Sequence, residues 1–217
     1  MLIAKMTAAG DLMNPEATEW AQVRPARLTF APTPIGLQPT PYIQKSWAAK
    51  AYGRAGRAEA RALTDGRSIF IRLEWADATE DREAKGTEGF ADGAAVVFPV
   101  SGDPPLVTMG APNALVNAWH WRADLPEGTG RNVLAQGLGT SQDSATSAVK
   151  TGALWKAGHW AVVFSRALHV GEAEGGGADL APGAETRIAF AVWNGSNGER
   201  AGIKAFSQAW LSLKIEG

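Results

Sequence analysis

A methionine in the middle of the chain is the side chain most suited by type and position to metal chemistry. Met109 stands apart because the other three of the four methionines lie within the first 13 residues. It follows a proline-rich approach and precedes Gly110, so its thioether could be displayed at a strand end as a soft ligand. A buried methionine that fills a gap in the core fits these facts equally well.

Nitrogen donors are available from His120, His159 and His169, but their spacing matches no metal motif such as His-Glu-x-x-His. Strand alternation places His120 on the face opposite to its neighbours Trp119 and Trp121. We expect structural or surface roles for the histidines, with a haem ligand as the less favoured alternative. The chain has no cysteine, which excludes thiolate catalysis, iron–sulfur clusters and thioether-attached haem.

Four carboxylates, Asp77, Glu80, Asp81 and Glu83, follow one predicted strand closely. Such a cluster could serve acid–base chemistry or bind calcium, but a solvated loop is the favoured interpretation. The nine tryptophans leave a second alternative, a carbohydrate-binding module that stacks exposed indoles on sugar rings. Most of them fall within predicted strands, which favours packing in the core.

The elements that position these side chains are predicted to be strands. Arg57 to Leu63 and Ser68 to Trp75, joined by Thr64-Asp-Gly-Arg67, form a hairpin signal, because Asp-Gly suits a tight turn. Alternation then places Ile69, Ile71, Leu73 and Trp75 on one face. Further strand segments are Ala94 to Val100, Leu115 to Arg122, His159 to Leu168, Thr186 to Trp193 and Trp210 to Ile215. This pattern predicts an all-β antiparallel β-sandwich with a few short helices.

The stretches between strands are predicted to be irregular. Prolines recur from Pro25 to Pro41, so this arm should be extended and not helical. An alternative for Trp47 to Leu63 is a helix, which its alanines favour and its glycines weaken. Gly137 to Gly152 and Gly171 to Pro182 are predicted to be long exposed loops.

The bulk composition sets the class of partner. With 217 residues, 45% hydrophobic, the chain is predicted to be one domain spanning residues 1–217. Its net charge of -1 supplies no field to attract nucleic acid or an anionic membrane. Apolar runs are too short for a membrane span, and the first residues do not form a signal peptide. The protein would then be cytoplasmic, or its export would depend on a removed signal or on a partner that carries one.

The ordered set of segments resembles a known family, the haem b-binding gamma subunits of ethylbenzene dehydrogenase, dimethylsulfide dehydrogenase, selenate reductase and chlorate reductase. The resemblance covers most of the chain. Its landmarks are Ile69–Trp75, Phe90–Pro99, Val107–Gly110, Val116–Trp121, Ile188–Gly195 and Glu199–Ser207.

The resemblance implies one haem b whose axial ligands are Met109 and Lys204, in a sandwich related to carbohydrate-binding modules. The lysine must lose its proton to bind iron, and lowering its pKa from about 10.4 to about 7 is worth roughly 4 to 5 kcal/mol. An exposed cation is the alternative for Lys204. With both axial positions filled, the iron should carry electrons and bind no substrate.

The resemblance also implies partners and a location. The chain would be the non-catalytic subunit of a periplasmic heterotrimer, beside an iron–sulfur beta subunit and a molybdenum-containing alpha subunit. It would relay electrons between the iron–sulfur subunit and a soluble carrier such as a cytochrome. No catalytic residue is predicted in this chain.

Overall fold

The computed structural model describes residues 1–7, 10–84, 86, 89–171 and 176–217. Within these ranges, strands dominate, and helical structure is limited to α1 (Pro41–Trp47) and the 3-10 helices Thr18–Gln22, Ile35–Leu37 and Leu106–Thr108. The strands are β1 (Leu2–Met6), β2 (Ala26–Pro32), β3 (Arg57–Thr64), β4 (Ser68–Ala76), β5 (Gly93–Pro99), β6 (Val116–Arg122), β7 (Arg131–Ala135), β8 (Gln142–Asp143), β9 (Lys150–Lys156), β10 (His159–Ala167), β11 (Glu185–Trp193), β12 (Ala205–Ser207) and β13 (Leu211–Ile215).

The strands form two layers, and β2 and β11 pass from one layer to the other. The first half of β2 pairs with β3 and its second half with β12. In the same way β11 pairs first with β13 and then with β5 and β12. Pairing is antiparallel except for β1, which lies parallel to β13 and β3. The predicted all-β sandwich is therefore confirmed.

The core lies between the layers and is built from the faces that alternation predicted. The hairpin of β3 and β4 forms as expected, and Ile69, Ile71 and Leu73 are fully buried on one face of β4. From the opposing layer, Trp121 packs edge-on against Trp160, with ring centroids 4.9 Å apart. Most tryptophans are thus core residues, and none in the described part of the chain is classed as exposed.

Two predictions about the connecting segments were wrong. The proline-rich arm contains a regular strand, β2, because its prolines flank the run Ala26–Ala31 and leave the donors within that run free to pair. The alternative of a helix over residues 47–63 does not hold, because 57–64 is β3 of the predicted hairpin. The stretch 137–152 contains β8 and the start of β9. Within 171–182, residues 172–175 lie outside the described residues.

Candidate functional site

An apolar floor lies on the face of β5, β6 and β11 that points away from the core. Because neighbouring residues on each strand face the core, alternation turns Ala95, Ala118, Ala189 and Ala191 to this outer face. All four alanines are nearly inaccessible to solvent. Ala118 and Ala189 belong to an apolar cluster against which Leu106 and Met109 pack.

Met109 is presented by a tight backbone turn over this floor. The 3-10 helix Leu106–Thr108 ends at Met109, which adopts the left-handed conformation with φ 56° and ψ 51°. Its amide donates to the Leu106 carbonyl at 3.0 Å and its carbonyl accepts from the Gly137 amide at 3.1 Å. A residue with a side chain pays about 1 to 3 kcal/mol in such a conformation, and strain of this kind clusters at functional sites.

The Lys204 side chain approaches the Met109 side chain from the opposite edge of the layer that contains β5, β6 and β11. Its Nζ lies 3.2 Å from the Met109 Sδ and 5.2 Å from the centroid of the Trp193 ring. The residue is only 5% exposed, and within the described part of the chain it forms no ion pair with a carboxylate. Burial lowers the pKa of Lys204 to about 8. A buried amine without a counterion is rare, and its burial brings the neutral form, whose lone pair can bind a metal, within easier reach than in an exposed lysine.

This burial predicts that Lys204 lowers the stability of the haem-free protein. The pKa is depressed from 10.5 to about 8, so the native state releases its proton first and stability rises with pH between these values. We expect Lys204→Met to raise the free energy of unfolding by up to roughly 3 kcal/mol near pH 7. Urea unfolding should show this gain shrinking as the pH approaches about 10.

The exposed Lys214 on β13 provides the matched control for this measurement. Lys214→Met should leave the free energy of unfolding within about 0.5 kcal/mol of the wild type, because its ammonium is already in water. A haem-free Lys204→Met variant less stable than the wild type at neutral pH would contradict the assignment of Lys204 as a buried, uncompensated amine.

The turn that leads to Lys204 is anchored by buried carboxylates. Asp92 accepts hydrogen bonds from the amide of Gly195 at 2.8 Å and from the Trp160 indole at 2.9 Å. Both Asp77 oxygens accept from the Asn194 side chain at 3.1 Å. Burial, then the charge of Asp92, raises the pKa of Asp77 to about 6. The prediction of a solvated carboxylate loop was wrong for Asp77 and Asp81, which are buried, while Glu80 and Glu83 are exposed as predicted.

His120 is a neighbour of the Met109–Lys204 pair. Its ring packs edge-on against Trp193, with centroids 5.1 Å apart, so imidazole and Lys204 amine lie beside the same indole. Burial, then the charges of Arg131 and Arg122, lowers the pKa of His120 to about 3, which keeps it neutral. Alternation placed it correctly opposite Trp119, but its proximity to Trp193 depends on strand order and was not foreseen. His159 and His169 are exposed, as predicted.

The side chains at this site offer a thioether and an amine as possible donors to the haem that the resemblance implies. Among the described residues no group of three or more histidine, aspartate or glutamate side chains could hold a metal ion. The Met109 thioether and the Lys204 amine instead lie 3.2 Å apart, and no carboxylate among the described residues pairs with the amine. Residues of these two types suit a haem iron, which takes four nitrogens from its own ring and needs two more donors. The residues present therefore fit the group.

Fold and site together define a β-sandwich that holds a partly buried thioether beside a buried amine on one outer face. Solved structures share the sandwich: a family 9 carbohydrate-binding module from Caldicellulosiruptor kristjanssonii has a TM-score of 0.54 at 8% identity, covering 100% of this chain and 95% of that one. A putative carbohydrate-binding protein from Bacteroides uniformis has a TM-score of 0.50 at 11% identity, covering 99% and 98%. At these identities the likeness concerns the fold alone.

The chain belongs to the ethylbenzene dehydrogenase family, whose model matches residues 17–140 and 131–205. It is 38% identical over 212 residues to the chlorate reductase subunit gamma of Ideonella dechloratans, covering 96% of this chain and 82% of that protein. A putative respiratory nitrate reductase heme subunit of Haloferax mediterranei is 34% identical over 95% of this chain and 70% of its own length. The dimethylsulfide dehydrogenase subunit gamma of Rhodovulum sulfidophilum is 33% identical, covering 68% and 56%.

Proposed function

We propose that this chain is an electron-transfer subunit that binds one haem b through Met109 and Lys204. The observation that carries the proposal is the 3.2 Å contact between the Met109 Sδ and the buried Lys204 Nζ. A protein gains nothing in stability from burying an amine without a counterion, so the arrangement calls for a functional reason. Binding to iron supplies one, because it uses the neutral amine that burial favours.

The residues of the site bind and shield, and they perform no bond chemistry. When bound, haem b would supply one-electron exchange between its ferric and ferrous states. Met109 and Lys204 would hold the haem iron and so leave no place on it for oxygen or substrate. The Trp193 ring lies beside the buried amine and helps to exclude water from it. No catalytic role is assigned to any residue of the chain, which leaves substrate turnover to its partners.

The names of the relatives support a place in a larger complex. Two of them are gamma subunits of a chlorate reductase and a dimethylsulfide dehydrogenase, and another is called a heme subunit. We infer a periplasmic heterotrimer in which an iron–sulfur subunit connects this chain to a molybdenum subunit and a soluble cytochrome exchanges electrons with it.

We also propose that residues 1–217 act as a single domain. No helix in the described ranges is long and apolar enough to cross a membrane.

A carbohydrate-binding role is the alternative that the fold alone would allow. Sugar-binding modules stack exposed aromatic rings on pyranose faces, yet the described tryptophans are buried or only partly accessible. The site therefore favours electron transfer over this alternative.

Rapid mixing of the haem-loaded, dithionite-reduced chain with oxidised cytochrome c tests the proposed function. We expect the haem to be reoxidised in a single exponential phase whose rate rises with cytochrome concentration. The reduced chain should be unreactive when mixed with chlorate or dimethyl sulfoxide alone, because its iron has no open position. Failure of the chain to bind haem, or direct reaction with either small molecule, would contradict the proposal.

A further inference from the structure

The proline-rich segment 33–52, here called the strap, runs behind the backbone of Lys204. It carries the 3-10 helix Ile35–Leu37 and α1, and α1 buries none of its own side chains. A short helix without a buried face contributes little to the core. Contacts made by the rest of the strap must therefore hold α1 against the protein.

Those contacts converge on the two carbonyl groups around Lys204. The Thr33 amide donates to the Lys204 carbonyl at 3.1 Å, and the Thr33 hydroxyl donates to the Gly202 carbonyl. The Gln38 Nε2 donates to the same Gly202 carbonyl at 3.1 Å. Tyr52 in turn donates its hydroxyl proton to the Thr33 carbonyl. The lysine backbone is thus held from behind while its side chain points towards Met109.

Gln38 carries an independent anomaly. Its side chain is 4% exposed, and its Oε1 is the buried side-chain atom in the described chain that lacks a hydrogen-bond partner. A buried acceptor without a donor costs on the order of 1 to 3 kcal/mol. A Cβ at Gly202 would come within 2.0 Å of this oxygen. The amide is therefore packed against the bare Cα of Gly202, and no larger residue fits there unless Gln38 leaves.

We propose that the strap positions the axial lysine. Thr33 and Gln38 are the positioning residues, and Gly202 provides the carbonyl and the space that they contact. The inference rests on the proposed haem function. A lysine side chain loses up to about 2 kcal/mol of conformational freedom when it is fixed. Holding its backbone beforehand lowers what ligation must supply, in the way that supporting residues orient metal ligands elsewhere.

Gly202→Ala, Gln38→Ala and the double variant test the strap through the ligation spectrum. The new methyl group should expel the Gln38 amide, so Gly202→Ala should raise the pH at which the low-spin spectrum is lost by about one unit, a tenfold weakening. Gln38→Ala makes room for that methyl group. The double variant should therefore be no weaker than Gln38→Ala alone, a non-additive result.

Gly36→Ala is the matched control, because it lies in the strap and a Cβ there would meet nothing within 4 Å. Gly36→Ala should leave unchanged the midpoint pH at which the low-spin spectrum is lost. Thr33→Val removes one hydroxyl at nearly constant size and should shift the midpoint in the same direction as Gln38→Ala, even if Gly202→Ala fails to fold. Wild-type midpoints in Gly202→Ala and Thr33→Val, or additive effects in the double variant, would overturn the proposal.

A second readout separates this inference from the proposed function. In the haem-free protein, the rate of reductive methylation at Lys204 reports how firmly the amine is held in its buried place. We expect it to rise about tenfold in Gln38→Ala, the factor set by one lost hydrogen bond. Faster methylation in a chain that never binds haem would uphold the strap and reject the haem. Unchanged methylation in a chain whose wild type binds haem normally would reject the strap alone.

Discussion

We expect Lys204→Ala to convert the haem-loaded chain from six-coordinate low-spin to five-coordinate high-spin. Alanine removes the amine that lies 3.2 Å from the Met109 sulfur, and the short side chain leaves a gap that the surrounding sheet cannot close. Loss of one axial bond should weaken haem retention by roughly 100-fold, the upper range found even for supporting residues of metal sites. Absorption and electron paramagnetic resonance spectra report the spin state directly.

Two further variants make this experiment decisive. Lys214→Ala removes an exposed lysine from β13 and should leave the spectrum unchanged. Lys204→Ala combined with His120→Ala removes a neutral imidazole beside the same indole, which could otherwise fill the empty position. A double variant that remains six-coordinate and low-spin would show that Lys204 is not an axial ligand.

Replacing Met109 should act chiefly on the reduction potential. Met109→His should keep six-coordinate iron, because histidine tolerates the left-handed backbone found there. A thioether favours the ferrous state more than an imidazole does, so the potential should fall by on the order of 0.1 V. Potentiometric titration followed by absorption spectroscopy measures the change.

Met109→Gly separates the sulfur from the turn that carries it. Glycine adopts a φ of 56° without strain, so this variant should fold at least as stably as the wild type while losing the low-spin spectrum. Met6→Leu, at an exposed position on β1, is the matched control and should alter neither property. An unchanged potential in Met109→His would contradict axial ligation by Met109.

Local pattern was sufficient to predict strands that bury one complete face. The hairpin of β3 and β4 combines strict alternation with an Asp-Gly turn, so sequence and packing agree. β7, β9 and β12 were missed, because their mixed composition does not predict a strand. They become strands through pairing with their neighbours. The start of α1 had a signal, since the Thr40 side chain accepts from the Ile43 amide and Pro41 follows it.

The candidate site was predictable only in part. Met109 could be selected by residue type and position, but no local feature separates Lys204 from other lysines. Its burial results from the meeting of β12, the strap and the Met109 turn, which are far apart in sequence. The anchoring role of Asp77 was missed for the same reason, because its partner Asn194 lies at the end of a different strand.

The most direct test of the account is the near-infrared magnetic circular dichroism and electron paramagnetic resonance of the wild-type chain loaded with haem b. These spectra identify axial donors by chemical type. If Met109 and Lys204 hold the iron, the spectra should show low-spin ferric iron with one thioether and one amine ligand, and Met109→Gly and Lys204→Ala should lose that signature equally. Bis-histidine ligation, a high-spin spectrum, or a chain that takes up no haem would contradict it.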